Sequence, residues 1–416
     1  MSEYHKGLWH NSNFMKLWVG KTISDLGSGI TGIALPLTAV LVLSATSAQM
    51  GVLSALGGAS VLVFSLFAGV WVDRLPRRSL LIVTDIGRAL LLVSIPIAAE
   101  LGVLHIEQLY IVGALVGVLT VFFNVADQSF LPTLVEQKDL LEGNSKLGAS
   151  GSIAEISGPA LAGPLVQLVT APIAILFDAL SFLVSAVCVG LIRTTEPHLV
   201  KTEQRQHTWH EIAEGIQVVL KNPVLRTLAL SASIFEFFGN FIGTLYILYI
   251  VRVLHSTPLA TGFLVAAGGV SALVGAFVAT LVAQRFGIGK IIAWSLFGYG
   301  IAGLLIPLAQ GPTIMAISIL FVGQFIGDIL VQMYFINEIS LRQSIIPLHL
   351  LGRANASMQF LTRGIGPVGA LFAGVLGTFI GIRITILIGV LGVISAGLYL
   401  LLSPVRKINT TEQQDV

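Results

Sequence analysis

Long apolar stretches alternate with short polar connections along all 416 residues of the chain. Each stretch holds about 20 or more mostly apolar residues, the length that a helix needs to cross the hydrocarbon core of a bilayer. Charge clusters and turns with Pro or Gly separate the stretches. The pattern therefore predicts twelve transmembrane helices, at residues 14–43, 48–72, 79–103, 108–130, 145–169, 172–193, 224–251, 259–282, 290–309, 313–338, 354–378 and 382–403.

The longest polar connection, residues 194–222, falls between the sixth and the seventh stretch. Apolar residues recur in it at helical spacing, which predicts an amphipathic helix lying at the membrane surface. These residues are Trp209, Ile212, Ala213, Ile216, Val219 and Leu220. The expected organisation is a six-helix bundle at 1–193, a linker at 194–222, a second six-helix bundle at 223–403 and a tail at 404–416.

The two halves of the chain match each other at an offset of 211 residues. The stretch T-I-S-D-L-G-S-G-I falls on S-I-F-E-F-F-G-N-F, so Asp25 corresponds to Glu236, and at the same offset Asp127 corresponds to Glu338. One offset that aligns acidic residues in two separate pairs of spans indicates an internal duplication. The expected fold is an all-α integral membrane protein with two pseudo-symmetric six-helix bundles.

Composition agrees with a membrane protein, since 55% of the residues are hydrophobic and only 11% are charged. A soluble domain typically carries about 25% charged residues. The single cysteine, Cys188, excludes a disulfide within the chain and a zinc site built from cysteines.

Basic residues are distributed unevenly between the two sets of connections. Of the 23 Lys and Arg residues, 18 fall at the N-terminus, in the even-numbered connections or in the C-terminal tail. By the positive-inside rule, this asymmetry predicts that both termini lie in the cytoplasm and that the protein resides in the cell (inner) membrane. It also explains the net charge of +2 without a nucleic-acid partner.

Acidic residues inside the spans are the main candidates for function. A charge at the bilayer centre costs about 2.5–3.5 kcal/mol on insertion scales, so such residues usually line a substrate or ion pathway. The proton-coupling or substrate candidates are Asp25, Glu236, Asp328, Asp127 and Glu338. A structural alternative exists for Asp25, because Lys21 stands four residues before it and can neutralise it within one helix.

Two further groups of candidates are apolar. Phe235 and Phe238 flank Glu236 and are candidates for an aromatic wall of a binding cavity, although such residues more often face lipid or other helices. Gly-Pro pairs within the predicted fifth and eleventh spans are expected to break or kink those helices. The first pair is Gly158 and Pro159, and the second is Gly366 and Pro367.

Motifs for other chemistries are missing from the sequence. It has no phosphate-binding Gly loop followed by Lys and Ser or Thr, no His and acid cluster with metal spacing, and no arguable nucleophilic triad. We therefore expect neither an enzyme nor an ATP-driven motor, and no cofactor or metal.

Several motifs resemble those of one transporter family. The stretch G-V-W-V-D-R-L-P-R-R at 69–78 resembles the G-x-x-x-D-R-x-x-R-R signature of the major facilitator superfamily, and I-S-G-P-A-L-A-G at 156–163 resembles its antiporter signature. The stretches 14–24, 127–135, 177–186 and 209–216 are similar to the branch of macrolide-efflux and enterobactin-exporter-like proteins. The resemblance implies a cavity lined by spans 1, 4, 7 and 10, rocker-switch alternating access and export driven by proton entry.

The motif at 69–78 then supplies candidates for a cytoplasmic gate. We expect its acid to face a helix N-terminus and its arginines to pair with acids on neighbouring spans. Simple anchoring at the positively charged membrane face is the alternative for the arginines. The gate candidates are Gly69, Asp73, Arg74, Arg77 and Arg78.

These expectations combine into one functional prediction: a monomeric, proton-coupled exporter of amphipathic small molecules, such as drugs of the macrolide type. Its partners would be a small-molecule substrate, protons and the lipid bilayer. Export of a siderophore or a lipid-like metabolite is the alternative within the transporter class. A receptor or scaffold that kept the fold without transporting is a less favoured alternative.

Overall fold

The computed structural model describes residues 8–72, 75–193, 208–311, 313–347 and 350–408. This part of the chain is helical, with no β-strand. The helices are α1 (Ser12–Leu37), α2 (Ser47–Val72), α3 (Arg77–Glu100), α4 (Ile106–Leu134), α5 (Leu140–Leu168), α6 (Ala171–Gly190), α7 (Thr208–Lys221), α8 (Pro223–Arg252), α9 (Pro258–Phe286), α10 (Ile288–Gly303), α11 (Leu305–Leu308), α12 (Thr313–Ile345), α13 (Leu351–Arg363), α14 (Gly366–Phe379) and α15 (Ile382–Leu402).

Eleven helical stretches in the described residues are long and apolar enough to cross a membrane. The remaining predicted span, 145–169, lies on α5, which has 29 residues. Polar residues such as Asn144, Lys146 and Glu155 lower the hydropathy of α5. The chain is therefore a multi-pass membrane protein, and the twelve-helix prediction differs from the apolar count only at α5.

The first spanning helix of each half begins at the same kind of cap. The side chain of Asn11 accepts hydrogen bonds from the backbone N–H groups of Asn13 and Phe14 at the start of α1. Asn222, 211 residues later, accepts from Val224 and Leu225 at the start of α8. Such caps satisfy donors that the helix leaves free. The repeat thus extends from the intramembrane acids to the helix boundaries.

Contacts divide the chain into two compact units. The first unit comprises residues 1–45, 56–201 and 257–266, and the second comprises 46–55, 202–256 and 267–416. The beginning of α9 is assigned to the first unit and the rest of α9 to the second. The beginning of α2 is assigned to the second unit and the rest of α2 to the first.

In the first unit, α1 packs against α5 and α6, while α3 packs against α4 and α6. Small residues permit close approach: a Cβ on Gly29 of α1 would lie 2.9 Å from the Cα of Gly158 on α5. Cys188 on α6 is half-buried and lies against Gly20 of α1. The apolar core of this unit includes Phe14 and Phe130, both fully buried.

The second unit repeats this arrangement helix by helix. There α8 packs against α14 and α15, while α10 packs against α12 and α15. Its core includes Leu228, Leu296 and Leu400, which have no exposed surface. The same set of helix neighbours in both units is the structural counterpart of the sequence repeat.

The predicted Gly-Pro breaks differ between the halves. Residues 364 and 365 form a turn that separates α13 from α14, and Pro367 lies in the first turn of α14, where its missing N–H is tolerated. In the first half, α5 continues through Gly158 and Pro159. The corresponding positions thus end a helix in one half only.

The predicted amphipathic linker helix is present as α7, while residues 194–207 lie outside the described part of the chain. Helix α7 packs against α13, and Glu214 forms an ion pair of 2.5 Å with Arg353. Val219 is fully buried in the core of the second unit. The linker helix is therefore attached to the second unit by an apolar and an ionic contact.

Candidate functional site

Three charged side chains meet between α1 and α4 in the first unit. Helix α1 carries Lys21 and Asp25 one turn apart, and α4 carries Asp127. The Lys21 Nζ lies 3.2 Å from Asp127 Oδ2 and 3.7 Å from Asp25 Oδ1. The ammonium group therefore bridges two carboxylates, and its shorter contact links two helices that lie far apart in sequence.

A polar cavity of about 400 Å³ surrounds this group. It lies among α1, α4 and α5, and six of its ten lining residues have polar side chains. The lining residues are Lys21, Asp25, Asn124, Asp127, Gln128, Leu131, Asn144, Leu147, Gly148 and Gly151. A cavity of this size holds a small molecule or several waters.

The charge balance of the site is uneven, because two carboxylates and one ammonium sum to −1 when all are ionised. Asp127 is 7% exposed, and its Oδ1 has no hydrogen-bond partner within the described residues. A buried acceptor without a partner favours a proton, a donor group or a cation. The arrangement is thus chemically suited to bind a proton or a positively charged part of a substrate.

Acidic residues of the second unit have different surroundings. Glu338 lies 3.4 Å from Arg342, one turn further along α12. Glu236 on α8 is half-buried and close enough to Arg363 for an electrostatic interaction. No ion pair involving Glu236 within 4 Å occurs among the described residues.

Asp328 on α12 belongs to a small polar network. It approaches the side chain of Gln324, whose Oε1 accepts a hydrogen bond of 2.7 Å from the Tyr246 hydroxyl. A Cβ at Gly268 on α9 would lie 2.5 Å from Asp328 Oδ2, so only glycine fits there without a shift. Asp328 thus sits among α8, α9 and α12.

The two candidate phenylalanines lie in packed surroundings. Phe235 is buried and its ring contacts Tyr299, Tyr334 and Phe335, with centroids about 6 Å apart. Phe238 packs on α15 at Gly392. These contacts favour the packing alternative over a cavity wall.

Only part of the predicted gate motif is described. Gly69 lies on α2 and Arg77 begins α3, while Asp73 and Arg74 lie outside the described residues. The Arg78 guanidinium donates to the carbonyl oxygens of Val189, at 3.2 Å, and Gly190. A cation at the carbonyl end of α6 caps that helix, and the gate role of the motif stays a prediction.

Sequence reasoning missed the role of Lys21 as a link between helices. The four-residue spacing indicates Lys21 only as a local partner of Asp25. Sequence reasoning also missed the amides of the cavity wall, Asn124, Gln128 and Asn144. The signal was available, because Asn124, Asp127 and Gln128 occur at i, i+3 and i+4 and therefore share one face of α4.

No cluster of three or more metal-binding side chains occurs among the described residues.

Comparison with known proteins identifies the class. The sequence pattern of the Major Facilitator Superfamily matches residues 17–368, well over half of the chain. The chain therefore belongs to the major facilitator superfamily and is a membrane transporter, not an enzyme.

Individual relatives are distant but cover nearly the whole chain. An uncharacterized MFS-type transporter of Bacillus subtilis, YfiS, is 25% identical over 391 residues, which is 92% of this chain and 91% of YfiS. The multidrug efflux pump Tap of Mycolicibacterium fortuitum is 24% identical over 372 residues, 87% of this chain and 88% of Tap.

Solved structures agree on the fold. A bacterial homologue of the iron transporter ferroportin, in an inward-facing state, matches with a TM-score of 0.76 at 16% identity, covering 94% of this chain and 98% of the other. The nucleoside transporter NupG matches with a TM-score of 0.69 at 13% identity, covering 94% and 98%. At these identities, the likeness shows the fold alone.

Proposed function

We propose that this transporter is a proton-coupled exporter of amphipathic small molecules and belongs to the drug-efflux branch of the superfamily. One observation carries the proposal: a polar cavity in the first unit contains two carboxylates bridged by a single lysine. Distant similarity to the Tap efflux pumps over most of the chain supports the direction of transport. The protein would act as a monomer in the cell (inner) membrane, with both termini in the cytoplasm.

Asp25 and Asp127 are the proposed exchange groups. When both are ionised, Lys21 cannot neutralise them alone, so the cavity attracts one more positive charge. A proton and a cationic substrate would then compete for the same two carboxylates, which is the simplest way to couple their movements in opposite directions. Asn124, Gln128 and Asn144 supply hydrogen-bonding groups for the polar part of the substrate.

Proton coupling is tested in liposomes that contain the purified full chain. Vesicles that are acidic inside should accumulate ethidium, a lipophilic cation, and erythromycin, a macrolide. Addition of a protonophore should abolish this accumulation. Transport of these probes that is indifferent to the pH gradient would exclude proton coupling, and absence of transport for both would exclude drug efflux of this kind.

Variants tie the activity to the site. Asp25→Asn and Asp127→Asn remove one charge each with almost no change in shape. Glu107→Gln is the matched control, because Glu107 is exposed near the start of α4, about 30 Å from Asp127 at 1.5 Å per residue. Full gradient-driven transport by both aspartate variants would remove this cavity as the coupling site.

A further inference from the structure

A second group of buried charges lies between α3 and α6 in the first unit. Asp85 and Arg88 are on α3 and Asp178 is on α6, with residue exposures of 0%, 2% and 1%. None of the three lines the polar cavity. Charges at this depth cannot be solvated by bulk water, so their balance must be achieved within the protein.

The guanidinium of Arg88 is held in place from several directions. Its Nη2 lies 2.5 Å from Asp85 Oδ1. Its central carbon lies 4.2 Å from the ring centre of Phe123 on α4 and 4.0 Å from that of Phe182 on α6, distances typical of cation–π contacts. Within the described residues, its Nε has no hydrogen-bond partner. Its Nη1 lies 3.5 Å from the Thr120 hydroxyl oxygen. Arg88 is thus fixed, and its Nε–H is not used by the described part of the protein.

Asp178 is buried without an ion pair. Its Oδ1 accepts a hydrogen bond of 3.1 Å from the Ser181 hydroxyl, and no cation lies within 4 Å of it among the described residues. Arg88 is close enough only for a longer-range interaction. A Cβ at Gly27 on α1 would lie 2.6 Å from Oδ1, so the backbone of α1 closes over this carboxyl.

The charges of the cluster do not cancel. Two carboxylates and one guanidinium sum to −1. The Ser185 hydroxyl on α6 approaches the Asp85 carboxyl, but a neutral donor adds no positive charge. The surrounding helices do not supply the missing positive charge, because their groups also sum to −1. These groups are Lys21 and Asp25 on α1 and Asp127 on α4.

We propose that Asp85, Arg88 and Asp178 form a second proton-binding site, which holds one proton on one carboxyl while the guanidinium pairs with the other. One added proton brings the cluster from −1 to neutral. A protonated carboxyl is also an O–H donor, which a carboxylate is not. The proton thereby avoids the desolvation penalty of an uncompensated buried carboxylate, which is on the order of several kcal/mol.

Two contacts connect this site with the polar cavity. The Phe123 ring is 5.8 Å from the Lys21 ammonium and 4.2 Å from the Arg88 guanidinium, measured to its centre. On α1, Gly27 touches Asp178 while Asp25, two residues earlier, lines the cavity. A movement of α1 therefore changes both sites together. The use of this proton in transport rests on the proposed function, whereas its presence does not.

Infrared spectroscopy of the full chain in lipid bilayers tests the proposal, because a protonated carboxylic acid has a carbonyl stretch separate from that of a carboxylate. At neutral pH, Asp178→Asn should remove the absorption of one protonated carboxyl. Asp85→Asn should remove the same amount, because Asp178 then becomes the ionised partner of Arg88. Both replacements keep the side-chain shape, and thermal unfolding reports whether each variant remains folded.

Arg88→Gln should increase the absorption of protonated carboxyls, whereas the aspartate variants decrease it. It leaves two acids without a cation, so the absorption assigned to this site should about double, from one proton to two. Glu107→Gln, on the exposed start of α4, should leave the band unchanged. The proposal is overturned if both aspartate variants retain the full band. If the aspartate variants lose the band while the wild-type protein shows no proton-driven transport, the result supports this site and refutes the proposed function.

Discussion

The acidic sites of the two units differ in where their cations come from. In the first unit, Asp127 on α4 pairs with Lys21, which lies on α1. At the equivalent position of the second unit, Glu338 pairs with Arg342 of the same helix. The repeat position of Lys21 is occupied by Ala232, and that of Arg342 by Leu131.

Duplication has thus kept the acids and relocated the cations. An ion pair between two helices is lengthened or broken when those helices move, whereas an i,i+4 pair moves as one body with its helix. The ion pair of the first unit, between Lys21 and Asp127, is therefore the one that changes when its helices move. This difference favours the first unit as the place where the proposed proton exchange would be coupled to movement.

Asp127→Asn should have the largest effect. Loss of the interhelical pair and of one exchange group should reduce gradient-driven ethidium transport by about tenfold or more, which corresponds to about 1.4 kcal/mol. The measurement is the initial rate in liposomes, normalised to protein content. A rate within twofold of wild type would mean that the interhelical pair is not used.

Lys21→Gln should have a somewhat smaller effect, about fivefold, since one kcal/mol corresponds to that factor. The variant keeps both carboxylates but removes the cation that draws them together. Lys21→Arg should recover part of the rate, because a charge is restored with a different shape. Equal rates for the Gln and Arg variants would show that the charge of residue 21 is unimportant.

Glu338→Gln should reduce transport by about twofold only, because its pair with Arg342 lies within one helix. The same assay, run beside Asp127→Asn, compares the two repeat positions directly. A loss for Glu338→Gln as large as that for Asp127→Asn would contradict the functional difference between the two units.

The smallest effects are expected at the two helix caps. Asn11→Ala and Asn222→Ala should each lower the free energy of unfolding by about 1 kcal/mol. In thermal unfolding of the purified protein this corresponds to a decrease of about 2–4 °C. The two shifts should be similar, since both caps accept the same pair of backbone N–H groups. Unequal shifts would reveal that the symmetry of the caps does not extend to their energetics.

The membrane fold was predictable because its signals are local. Apolar length and charge clusters locate the spans, and the constant offset of 211 residues aligns Asp25 with Glu236 and Asp127 with Glu338. The turn before Gly366 was also signalled by its Gly-Pro pair. At Gly158 and Pro159 the signal does not end the helix, because a helix can accommodate proline when its neighbours and side chains satisfy the freed groups. A kink at these residues stays a prediction.

The pairings of the charged residues were less accessible. Lys21 and Asp127 are 106 positions apart, so sequence spacing favoured the nearer Asp25 as the partner of Lys21. The contact of Asp178 with α1 depends on the missing side chain at Gly27, and neither residue indicates the other in sequence. Phe235 stands beside Glu236 in the sequence, which suggests a wall of a binding cavity. The direction of the Phe235 side chain is set by packing against Tyr299 and Tyr334, which sequence spacing does not reveal.

The single cysteine also has a practical consequence. Cys188 lies half-buried against Gly20, and no disulfide within the chain is lost when it is replaced. One substitution, Cys188→Ala, therefore yields a background without reactive thiols. Pairs of cysteines introduced on α1 and α4 can then carry spin labels, whose separation would record whether the helices joined by Lys21 and Asp127 move apart during turnover.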